Sequence, residues 1–105
     1  MASRDELLAG LADLIYTDAS DAEGVHYPLS RERALQEAEI VLESLLRQQE
    51  YPRQYETFGI RFILSEPGEL KDVPVITSSV WQGRYWTQIG EFDLPPGLLH
   101  VETEI

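Results

Sequence analysis

Apolar residues recur at helical spacing in the first half of the chain and at alternate positions in the second. Leu7, Leu8, Leu11, Leu14 and Ile15 fall on one face of a helix. Ser3 and Glu6 ahead of them match the S-x-x-E capping box, and Asp5 puts negative charge where the helix dipole favours it. A first helix is expected from Ser3 to near Thr17. Residues 18–29, rich in Asp and Ser and containing Gly24 and Pro28, read as a loop. A second helix is expected from an N-cap at Ser30 to about Gln49. Its apolar face is Leu35, Ala38, Leu42, Leu45 and Leu46 with Val41 beside it, and Glu37 lies opposite.

Beyond Pro52 the period changes to two. Phe58, Ile60, Phe62 and Leu64 alternate with Thr57, Gly59, Arg61 and Ile63, so one strand is expected from Tyr55 to Leu64. Pro67-Gly68 reads as a turn. Val73 to Ile89 reads as a hairpin turning at Gln82-Gly83, with Pro74 marking an edge or a strand end. That register pairs Trp81 with Arg84, Val80 with Tyr85 and Ser79 with Trp86. Ile76, Ser78, Val80, Tyr85, Thr87 and Ile89 then share one face, and Thr77, Ser79, Trp81, Arg84, Trp86 and Gln88 the other. A last strand is expected from Leu98 to Glu104. Helices first and strands afterwards predict an α+β fold: two N-terminal helices packed on an antiparallel sheet of three or four strands.

At 105 residues the chain is expected to form a single compact domain spanning 1–105. Its 43% apolar and 26% charged composition is that of a globular protein rather than a disordered one. Cysteine is absent, which removes disulfides, thiolate metal sites and cysteine nucleophiles. No apolar run approaches the roughly 20 residues that span a bilayer, and the N-terminus carries acids where a signal peptide has bases. A cytoplasmic location is expected.

Charge narrows the partners. The net charge is −11, with acid exceeding base in both halves of the chain. Such a surface repels nucleic acid phosphates and anionic membranes and attracts basic proteins. Asp18, Asp21 and Glu23 before Gly24 suggest a calcium loop, but aligning Gly24 with its sixth position puts Ala19 first and Ser30 twelfth, where carboxylates are required. His26 and His100 have no spacing that suggests zinc. Nucleotide-binding, metalloprotease and serine-hydrolase motifs are absent, so neither an enzyme nor a cofactor is expected.

Two groups of residues remain as candidates for partner binding. Trp81, Arg84, Tyr85 and Trp86 fall within six positions at the hairpin tip, and these are residue types enriched at binding hot spots. Arg84 against an indole would also hold a partner's carboxylate, and Trp86 is expected to matter more than Trp81. Glu39 and Glu43 share a helix face and offer a second, acidic surface. The expected function is a small acidic inhibitor-like protein that blocks a basic, nucleic-acid-handling partner without touching nucleic acid or membrane itself. The alternative is a structural subunit of a larger assembly, self-associating through sheet edges at the Pro74 strand or the segment Leu98–Ile105.

Overall fold

The computed structural model describes residues 3–68 and 71–98. Two helices are followed by a four-stranded antiparallel sheet, as the change of period predicts. Helix α1 spans Arg4–Asp18 and helix α2 Arg31–Arg47. Strands β1 (Arg53–Thr57), β2 (Ile60–Ser65), β3 (Val75–Trp81) and β4 (Trp86–Asp93) form a meander in the order β1-β2-β3-β4. Neither helix is long and apolar enough to cross a membrane.

The capping box forms as expected. Ser3 Oγ accepts from Glu6 N at 3.1 Å, and Ser3 N donates to Glu6 Oε1 at 2.9 Å. Ser30 Oγ accepts from Arg33 N at 3.0 Å and starts α2. The helices pack on each other and on one face of the sheet, α2 over β1 and β2, and α1 over β4. Leu11, Ile15, Val41, Leu42 and Leu45 meet Ile60, Phe62, Leu64 and Ile76 in a fully buried core. Helix α1 approaches β4 closely at two glycines. A Cβ on Gly10 would lie 2.8 Å from Phe92 Cε1, and one on Gly90 would lie 2.6 Å from Leu14 Cδ1. Arg53, on the helix-facing side of β1, donates to the Leu45 and Leu46 carbonyls at 3.2 Å each, satisfying acceptors that the end of α2 leaves open. The Gln48 side-chain amide behaves as an extra peptide group, accepting from Gln54 N at 3.1 Å and donating to Gln54 O at 2.7 Å.

Four expectations need correction or lie elsewhere. The stretch expected as one strand, Tyr55 to Leu64, is a hairpin: β1 and β2 are joined by Phe58 and Gly59, both at positive φ (49° and 78°). Positive φ at both central positions suits the twist of a tight hairpin turn. A continuous strand would put Thr57 and Ile60 on opposite faces, whereas the turn pairs them with both facing the helices.

The second hairpin turns through four residues, not two. Trp81 pairs with Trp86, and Gln82 N donates to Tyr85 O at 2.9 Å, with Gly83 at φ 91°. Arg84 and Tyr85 therefore sit in the loop, and Tyr85 is exposed instead of facing the core. A register shift at Ser78/Ser79 then brings Ser78 opposite Gly90.

The buried face of α2 is centred on Ala34, Ala38, Val41 and Leu45, so Leu35 is exposed and Glu37 is buried. Small residues along this line let α1 pack against α2, and Glu37 tolerates burial because its carboxylate is fully engaged. Arg33 donates to its Oε2 from Nε (3.2 Å) and Nη2 (3.1 Å), and the Thr57 hydroxyl donates to Oε1 at 3.1 Å. The strand expected from Leu98 to Glu104 lies outside the described residues except for Leu98, which packs against the core.

Candidate interaction site

Three chain reversals gather at one end of the sheet. The β1–β2 turn and the β3–β4 loop lie there because a meander puts alternate turns at the same end. The loop after α1 joins them through a backbone bond from Ser20 N to Phe58 O at 2.8 Å. This loop is tightly folded. Asp21 Oδ1 accepts from Glu23 N and Val25 N, both at 2.9 Å, and Gly24 takes φ 83°. Tyr27 packs its ring 5.4 Å from that of Phe58.

Between these reversals lies a cleft of about 630 Å³, lined by Asp21, Glu23, Phe58, Trp81 and Trp86 and by the backbones of Gly24, Gly59 and Gly83. The two indoles stand on the sheet face opposite the helices. Their centroids are 5.6 Å apart and the rings are inclined at 60°, an edge-to-face pair. Trp81 is 53% exposed. Trp86 is better covered, because the Arg61 guanidinium lies 3.9 Å from its ring centroid. Arg61 reaches it from β2 past Ser79, its own partner on β3, whose small side chain leaves room. Glu56 accepts from Arg61 Nε at 3.0 Å, so the stacked cation is neutralised on its other side.

The structure brings Trp81 and Trp86 together and sets Arg84 beside them in the exposed loop. Arg84 enters no ion pair among the described residues. The guanidinium on an indole is that of Arg61, not of Arg84. Glu39 and Glu43 are exposed on α2, on the far side of the sheet from the indoles, and Glu43 pairs with Arg47 at 3.6 Å. The two candidate groups are thus separate surfaces.

Sequence reasoning missed Arg61, Phe58, Asp21 and Glu23 as neighbours of the indoles. Arg61 carried a signal, since the alternation placed it opposite the core face. Its proximity to Trp86 required the strand order. Neither a protein-family model, nor a curated protein, nor a solved structure matches the chain.

Proposed function

We propose that this is a small acidic, non-enzymatic binding protein that covers the basic surface of a protein partner, docking through Trp81, Trp86 and Arg84. The observation that carries this reading is Trp81, a half-exposed indole packed edge-to-face on Trp86 in a cleft that Asp21 and Glu23 also line. An aromatic anchor gives affinity where water is displaced, and surrounding charge of one sign selects and steers the partner. The net charge of −11 supports a basic partner and opposes contact with nucleic acid or anionic membrane. Glu39 and Glu43 extend the same field over the helical face.

The test compares the wild-type chain with its Trp81→Ala and Arg84→Ala variants as bait in extracts of the native host. A basic protein retained by the wild type and lost by the variants supports the reading. Its association rate should fall as salt rises, because steering is screened over about 8 Å at physiological ionic strength. Duplex DNA should not bind in about 150 mM salt, since phosphate contacts need a basic surface. The second reading, a subunit of a larger assembly, is favoured by β4, which among the described residues pairs only with β3. Solution mass separates the two: a monomer that binds a basic protein supports the first, and a homo-oligomer broken by substitutions on β4 supports the second.

A further inference from the structure

We propose that the cleft between the acidic loop and the indoles is a receptor for an arginine side chain of the partner. This rests on the reading above and names the chemistry of the contact. The cleft is large enough for a side chain and its flanking peptide, lying within the roughly 300–1,000 Å³ range of ligand sites. Asp21 and Glu23 enter no ion pair among the described residues. Of the cations around the cleft, Arg61 is neutralised by Glu56, and Arg33, whose guanidinium carbon lies 5.6 Å from the Phe58 ring centroid, by Glu37, while Arg84, unpaired among the described residues, is in the adjoining loop and does not line the cleft. The charged residues that line the cleft, Asp21 and Glu23, are both acidic.

The aromatic wall fits a planar cation. Arg61 shows that Trp86 accepts a guanidinium on its ring. That position is filled, which leaves Trp81 for the incoming group. A guanidinium on Trp81 would combine cation–π attraction with charge-assisted hydrogen bonds to a carboxylate of the loop. Arginine suits such a site better than lysine because its flat fork stacks and donates hydrogen bonds at once. The approach is open at the backbone: a Cβ added to Gly24 or Gly83 would meet nothing within 4 Å.

Trp81 and Trp86 are the only tryptophans, so intrinsic fluorescence reports directly on the cleft. The probe is a short glycine peptide carrying arginines, titrated alongside its citrulline and lysine counterparts. Citrulline keeps the shape of arginine and removes its charge. The arginine peptide should change indole fluorescence saturably and shift the backbone amide signals of Asp21–Gly24 and Gly83. Affinity should fall by about tenfold or more in Trp81→Ala and in Glu23→Gln, the loss expected when a hot-spot contact is removed. Glu23→Gln keeps the loop's backbone hydrogen bonds, so an unchanged melting temperature separates lost binding from lost folding. Equal binding of the citrulline peptide, tighter binding of the lysine peptide, or no saturable change with arginine would overturn the proposal. If the arginine peptide fails while Trp81→Ala still abolishes partner capture, the partner reading stands and the arginine receptor falls. If neither effect is seen, both fall.

Discussion

Thr57 on β1 donates its hydroxyl to Glu37 of α2 at 3.1 Å, joining sheet to helix through a buried carboxylate. Removing the carboxylate takes the acceptor from the Thr57 hydroxyl and leaves the half-exposed Arg33 guanidinium to solvent. Glu37→Ala should therefore cost about 1.5–3 kcal/mol, the usual contribution of hydrogen bonds to a charged group. Leu42→Ala and Leu45→Ala, at fully buried positions, should each cost about 2–5 kcal/mol. Glu39→Ala, on the exposed side of α2, should stay within about 0.5 kcal/mol of the wild type. Urea denaturation of the four variants checks the order.

Ser78 and Gly90 face each other where α1 presses on the sheet. The buried Ser78 hydroxyl has no hydrogen-bond partner among the described residues. Ser78→Ala should leave stability unchanged or raise it, because it removes a desolvated polar group at little cost in volume. Gly90→Ala should lower it by about 1–3 kcal/mol, since the new methyl group would collide with Leu14 and with the Ser78 hydroxyl. Adding Ser78→Ala should recover only part of the Gly90→Ala loss, because it removes the contact with the hydroxyl and leaves that with Leu14. Thermal melts of the two single variants and the double variant decide this.

Lys71 is the only lysine, so its titration can be followed without ambiguity. It donates to Asp93 Oδ1 at 3.1 Å and pairs with Glu91 Oε2 at 3.3 Å. The Asp93 hydrogen bond and then that to Glu91 raise its pKa above the ordinary 10.5. A folded-state pKa above the unfolded one favours the fold fully below pH 10.5 and loses that contribution as pH rises through the folded value. The side-chain NMR signal should titrate above 10.5, and Asp93→Asn should move its midpoint down. An unmoved midpoint would show that the Asp93 contact is not formed in solution.

Arg61 stacks on Trp86 while paired with Glu56. Arg61→Ala should uncover the Trp86 ring. In a Trp81→Phe background, where Trp86 is the only indole, acrylamide should quench fluorescence more strongly after this substitution. Stability should fall by about 0.5–1 kcal/mol, the range for a stacked cation at a partly exposed site. Unchanged quenching would mean that the stack is not maintained in solution.

Periodicity alone determined a large part of this protein. The helical spacing of Leu7, Leu11 and Ile15, the caps at Ser3 and Ser30, and the alternation of Ile60, Phe62 and Leu64 are local properties. Each depends only on how a backbone repeats and on which termini need hydrogen-bond partners. The facing of Trp81 and Trp86 away from Ile76 and Val80 followed from the same alternation. The composition supplied the acidic character.

Tertiary structure decided where these elements meet. Whether Phe58-Gly59 continues a strand or reverses it depends on pairing between Thr57 and Ile60, which the apolar pattern does not encode. Glu37 looked like a surface residue because its burial is compensated by Arg33, one turn away, and by Thr57, twenty positions along the chain. The indole site has the same character. Arg61, Trp86 and the Asp21–Gly24 loop come from three distant segments, joined by strand order and by one backbone bond from Ser20 to Phe58. Spacing along a chain records the repeat of a helix or strand, whereas a site assembled across a meander depends on which strands become neighbours.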